Sequence, residues 1–128
     1  MIIGVLLALV VSLLAWAAGF DRDRSFYPTV VTVVASYYVL FAAIGGSIHV
    51  LVAELVTMTV FVLVAFFGFK SNPWWVAAAL AGHGGFDFVH GFVVQNPGMP
   101  TWWPPFCAGY DLAAGSFLAA LLWSRRVP

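Results

Sequence analysis

His83, Asp87 and His90 are the residues of this chain whose types and spacing could do chemistry together. At about 100° per residue they fall at 0°, about +40° and about −20° around a helix, an i, i+4, i+7 line on one face. Imidazole nitrogen and carboxylate oxygen are both accepted by zinc and iron, and a helix offers such ligands one turn apart. The pattern is related in logic to the HExxH zinc motif without being that motif. The stretch that carries it, Gly82-His83-Gly84-Gly85-Phe86-Asp87-Phe88-Val89-His90-Gly91, lies inside an apolar run long enough to cross a bilayer. Ionisable groups in such a run are costly there, so by default they face a protein interior or a wet cavity and become candidates for function.

Two further acids, Glu54 and Asp111, also lie in apolar runs. They could complete a metal's shell from neighbouring helices, as helix bundles do with facing side chains. The expected site is therefore a Zn or Fe centre held by His83, Asp87 and His90. Glu54 or Asp111 would serve as general base toward water that the metal activates. The same residues leave two other chemistries open. They could relay protons or a ligand, in a small transporter or a proton-coupled binding protein. They could also be a hydrogen-bonded network that holds helices together in a structural or assembly subunit, each pair contributing about 0.6 kcal/mol.

The elements that must position these groups are legible from composition. The chain is 63% hydrophobic and only 8% charged over 128 residues, with mean hydropathy +1.02. Soluble domains carry about 25% charged residues. The expectation is one all-α unit, a polytopic membrane helix bundle in a cell membrane, such as a bacterial inner membrane. The partners expected are membrane lipids, an apolar small-molecule ligand and further copies of the chain. Net charge is zero and no basic block exists, so no nucleic-acid partner is expected. One cysteine, Cys107, excludes an intramolecular disulfide.

Five transmembrane helices are expected, at about 2–20, 28–44, 48–69, 73–94 and 106–123, each near the ~20 residues that a ~30 Å hydrocarbon core requires. Ala15-Trp16-Ala17 has the small-x-small form of a leader cleavage site, but no positive segment precedes the apolar run, so a span is expected. Asp21-Arg22-Asp23-Arg24 reads as a solvated turn, Gly45-Gly46-Ser47 as a short hairpin connection and Lys70-Ser71-Asn72-Pro73 as another turn. The stretch 95–105, with four prolines and a glycine, is expected to be the longest loop. With the N-terminus outside and the C-terminus inside, Arg22, Arg24, Lys70, Arg125 and Arg126 all fall on the cytoplasmic face, as the positive-inside rule requires.

That orientation sets Glu54, Asp87, His90 and Asp111 roughly 7–13 Å below the outer boundary, with His83 deeper and His49 shallower. His49 and Glu54 are five residues apart, about 140° around a helix, so Glu54 is expected in the site and His49 at its mouth. Tyr37 and Tyr38 read first as bundle lining, although their hydroxyls could donate into the site. Cys107, one turn before Asp111, reads as a small buried apolar residue that could double as a soft ligand. The glycines flanking the histidines are expected to let helices approach closely. Trp102 and Trp103 are either an aromatic belt or a lid over the outer mouth.

The run His83-x-x-x-Asp87-x-x-His90, then Asn96-Pro-Gly-x-Pro-x-Trp-Trp-Pro and Tyr110-Asp111, together with Gly19-Phe20-Asp21-Arg22-Asp23-Arg24-x-Phe26-Tyr27-Pro28, resembles a family of small uncharacterised bacterial membrane proteins, a domain of unknown function. The resemblance covers most of the chain and implies a membrane protein without implying an activity. A looser similarity links the His and Asp residues to membrane hydrolases with intramembrane zinc ligands, and the five-helix pattern with intramembrane His and Glu to sterol-isomerase-like proteins.

Overall fold

In the computed structural model, which describes residues 1–20 and 25–124, the chain forms five helices: α1 (Ile2–Ala18), α2 (Phe26–Gly45), α3 (Ile48–Lys70), α4 (Trp74–Val93) and α5 (Trp103–Trp123). The charge cluster at 21–24, with Arg22 and Arg24, and Arg125 and Arg126 lie outside the described residues. Three helices, α2, α3 and α5, are each long and apolar enough to cross a membrane; α1 is apolar but has 17 residues.

The helix boundaries follow local chemistry. Gly46 closes α2 in the left-handed conformation, φ 76, which a side chain would strain. Ser47 then caps α3 by accepting from the Val50 N–H at 3.4 Å. Pro28 lies in the first turn of α2, although that turn begins at Phe26 rather than at the proline. At α5 the boundary differs from expectation: Pro104-Pro105 do not hold the helix off but occupy its first turn after Trp103. Proline lacks an N–H, and first-turn N–H groups have no acceptor within the helix, so prolines fit there without loss.

Packing proceeds from α1 onto α5, α5 onto α4, α4 onto α3 and α3 onto α2, with α2 returning lightly on α4 and α5. The backbones of α1 and α2 do not pack on one another, although they are consecutive. Gly84 sets the closest part of the α4–α5 interface. A Cβ there would stand 2.9 Å from Leu112 Cγ and 3.2 Å from the Asp111 Cβ, so glycine is what lets Asp111 approach α4. Gly85 and Gly91 face open space and make no such approach.

The distribution of polarity is inverted relative to a soluble domain. Val52, Val56, Val60 and Leu63 of α3 and Leu6, Val10 and Leu13 of α1 are exposed, whereas Glu54, His83, Asp87, His90, Asn96 and Asp111 are buried. Apolar side chains cover the outside, and the interior combines an apolar core with this buried polar cluster.

Candidate metal centre and its neighbouring polar pair

All five residues singled out from the sequence, Glu54, His83, Asp87, His90 and Asp111, are gathered in the interior at 1% exposure or less. They divide into two groups. His83 and Asp87, one turn apart on α4, meet Asp111 of α5. Nδ1 of His83 lies 2.6 Å from Asp111 Oδ2 and 3.7 Å from Asp87 Oδ1. Cys107, one turn before Asp111, directs its thiol at Asp111 Oδ2 from 3.5 Å. One ligand atom from each of His83, Asp87, Cys107 and Asp111 lies within 4.8 Å of the others, so this group could hold a metal ion.

His90 takes a different neighbour. Seven residues along α4 raise it about 10 Å above His83, to the level where α3 brings in Glu54. Its Nε2 donates to Glu54 at 2.8 and 3.0 Å. Asn96, beyond the end of α4, donates from Nδ2 to Glu54 Oε2 at 2.8 Å and to the Tyr38 carbonyl at 3.0 Å. Of the three α4 residues expected to share one metal, His83 and Asp87 are together and His90 stands apart with Glu54. Of the two expected bases, Asp111 is inside the four-residue group and Glu54 is not.

Tyr38 joins the two groups. Its ring stacks on the His90 imidazole with centroids 3.9 Å apart and 11° between planes, and its hydroxyl donates to Asp87 Oδ1 at 2.5 Å. The lining role expected of Tyr38 is therefore joined by a direct hydrogen bond to a site carboxylate. Phe61 closes another side, edge-on to His83 at 4.7 Å. His49 is exposed, on the far side of α3 from Glu54. Trp102 is 60% exposed, while Trp103 packs on Tyr37 at 4.8 Å and Phe41 at 5.1 Å.

Sequence reasoning missed Asn96, which it read only as part of a turn. Its Oδ1 accepts from the Gly98 N–H at 3.3 Å, the side-chain-to-backbone bond of an Asx-turn. That bond leaves the amide hydrogens free to point inward at Glu54. An Asn before Pro-Gly at the mouth of a bundle with a buried acid is the signal that could have found it.

The electrostatics of the two groups differ. Both oxygens of Glu54 accept hydrogen bonds, but Asp87 Oδ2 and Asp111 Oδ1 are buried and accept none. The only lysine or arginine among the described residues is Lys70, at the end of α3 beside Phe66 and Phe69, so no described lysine or arginine pairs with either aspartate. One imidazole faces two carboxylates. Burying such charge uncompensated is expensive by several kcal/mol.

Compared with known protein families, curated proteins and solved structures, the chain matches none.

Proposed function

We propose that this protein is an intramembrane metal centre in a bundle of five membrane-crossing helices, acting as an enzyme on a lipid or other apolar substrate. The observation that carries the reading is the pair of orphaned oxygens, Asp87 Oδ2 and Asp111 Oδ1, buried beside His83 Nδ1 and Cys107 Sγ with no lysine or arginine among the described residues at hand. A divalent cation supplies the charge and the coordination that these atoms lack. His83, Asp87 and Asp111 form an N,O,O set suited to zinc, with iron the next choice. Tetrahedral ligands at about 2 Å from zinc stand about 3.3 Å from one another, so the group would tighten by about an ångström around the ion. The 2.6 Å contact between His83 Nδ1 and Asp111 Oδ2 would open, and the proton it holds would give way to the ion.

Three protein ligands leave a fourth position toward Cys107. If the thiol stays out of the shell, that position is open, which is what a catalytic zinc needs; if it enters, the shell is closed and structural. A zinc or iron ion with an open position supplies a Lewis acid and a water acidic enough to attack at neutral pH. The chain's own residues would hold the ion, exclude bulk water with Phe61 and Tyr38, and fix the Asp87 orientation through the Tyr38 hydroxyl.

Five crossings with the N-terminus outside are part of the proposal. The parallel course of α1 and α5 supports an odd number of crossings between one end and the other: Met1 lies against Gly109, and Trp16 shares a pocket with Ala120. The location of Arg22, Arg24, Lys70, Arg125 and Arg126 on one face, and kinship with small bacterial inner-membrane proteins, rest on the sequence alone.

Elemental analysis of detergent-purified protein by plasma mass spectrometry tests the centre. Stoichiometric Zn or Fe is expected in the wild type and absent from the Asp87→Asn/Asp111→Asn double variant. Protein that holds no stoichiometric metal even after reconstitution overturns the reading. A second reading is favoured by the closeness of the two aspartates. One proton shared between them would also relieve their charge, as in carboxylate dyads, and the site would then handle protons without metal.

A further inference from the structure

A groove runs along the side of the molecule where α1 and α2 fail to pack. It encloses about 440 Å³ between α1, α2 and α5, within the usual range of about 300–1,000 Å³ for small-molecule sites. Leu7 and Val11 form one wall, Val30 and Val33 the other, and Phe106 and Cys107 belong to its α5 side. Leu7 and Val33, at its lips, are exposed on the apolar outside of the bundle, so it opens sideways. No charged side chain among the described residues lines it. The hydroxyl of Thr29 is already committed to the Ser25 carbonyl of its own helix, at 2.7 Å.

Cys107 is the residue that this groove shares with the metal-capable group. The groove lining thus includes the buried residue whose sulfur, on the bundle side, stands 3.5 Å from Asp111 Oδ2. The α2 residues that line it, from Phe26 to Tyr37, subtend about 16 Å at 1.5 Å per residue, about half of a ~30 Å hydrocarbon core.

We infer that this groove receives one hydrocarbon chain of a membrane lipid and presents it to the Cys107 side of the His83–Asp87–Asp111 group. The inference names a substrate class for the proposed enzyme, and rests on the metal reading only for what happens at that group. The occupant follows from size and chemistry. A helix from a second copy, about 10 Å across and 16 Å long, would fill roughly 1,200 Å³, far more than the groove holds. A charged headgroup would find no counter-charge among its described lining residues. A single flexible chain matches the length, the apolar lining and the lateral opening. Because the lips belong to consecutive helices that do not pack together, a chain can enter from the bilayer without breaking an existing helix contact.

The test uses full-length protein in lipid nanodiscs containing a phosphatidylcholine with a diazirine on one acyl chain. After irradiation, adducts are mapped by mass spectrometry. The expected result is that adducts concentrate on Val33, Phe106 and Cys107 over the exposed α3 face of Val52, Val56 and Val60. In a Leu7→Trp/Val33→Trp variant, the groove adducts are expected to be lost while metal content stays at the wild-type level. A Val56→Trp variant, with its added ring on the outer face of α3, should keep them. Adducts spread evenly over the apolar surface, or unaffected by the two groove tryptophans, would overturn the inference. So would crosslinks between copies of the chain at the groove in place of lipid adducts. Groove adducts on a protein without metal would sink the metal centre and leave the lipid groove standing; metal without groove adducts would do the reverse.

Discussion

His83 and His90 stand on one face of one helix, are equally buried and each meets a carboxylate from a neighbouring helix, yet their surroundings are opposite in kind. Around His90 the accounting of Glu54 is complete: each of its oxygens has a donor, and Asn96 supplies the second. Around His83 two aspartates face one imidazole and each keeps an oxygen with no donor. The carboxylate of the His90 pair is satisfied, although His90 itself keeps a buried Nδ1 with no partner. The two carboxylates beside His83 each keep a free oxygen in the same interior, which is what the proposed metal ion would fill. Histidines of equal burial therefore do not have equal roles, and the count of donors around their partners is what separates them.

If that contrast is right, the largest effect on stability comes from the satisfied side. Glu54→Ala leaves His90 and Asn96 facing a hole, and removing one member of a buried, hydrogen-bonded ion pair typically costs about 3–5 kcal/mol. Thermal unfolding in detergent should show this as a marked fall in Tm, with metal content per folded protein unchanged. A Glu54→Gln/His90→Gln double variant, neutral and still able to hydrogen-bond, should recover most of it. Metal loss in Glu54→Ala protein that remains folded would merge the two groups into one site.

The next effect is on the unsatisfied side. Asp111→Asn removes a carboxylate ligand, and since residues that merely support a ligand are worth about 10–100-fold in affinity, the ligand itself should be worth at least about 100-fold. Competition with a zinc chelator reads this directly. The same change removes a buried negative charge that lacks a full partner, so the metal-free variant should be at least as stable as the metal-free wild type. Tyr38→Phe comes next. It deletes the hydroxyl that donates to Asp87 at 2.5 Å while keeping the ring on His90, so a loss of about 10-fold in metal affinity is expected with a stability change of about 1 kcal/mol.

A last pair of variants, ending on the smallest effect, sharpens the comparison at the backbone. Gly84→Ala puts a methyl group against Leu112 and the Asp111 Cβ, and overpacking of this kind costs about 1–3 kcal/mol. It should also push Asp111 off His83 and weaken metal binding. Gly85→Ala, one residue on and facing open space, should be neutral or stabilise the helix by about 0.5–1 kcal/mol. Equal behaviour of the two alanines in unfolding and chelator experiments would show that close approach at Gly84 plays no part in building the site.

Much of this architecture was legible in the chain itself. The apolar runs led to five helices, and the polar residues stranded within them led to Glu54, His83, Asp87, His90 and Asp111, because a charged group in an apolar run has few places to go except inward. The start of α5 was not legible, since proline pairs read as a barrier when the helix beginning just before them is not yet known. Asn96 was hidden because one half of its side chain makes the local turn that the sequence advertises, and only the other half reaches Glu54. Cys107 read as a small apolar residue that could double as a soft ligand; its burial fits the first reading and its 3.5 Å contact with Asp111 leaves room for the second.

The sequence by itself determined periodicity and burial: which segments are helices, that their outer surfaces are apolar, and that His83, Asp87 and His90 share a face. Those properties depend on residue type and on the 3.6-residue repeat, which are local. Only the tertiary structure decided which acid meets which histidine. A stripe of seven residues extends over about 10 Å of helix, and the tilt and height of the neighbours set which carboxylate arrives at each level. The close approach at Gly84 brings Asp111 to His83, while α3 brings Glu54 to His90. The separation of α1 from α2, which opens the groove to Cys107, is likewise a fact of packing that no repeat in the sequence encodes.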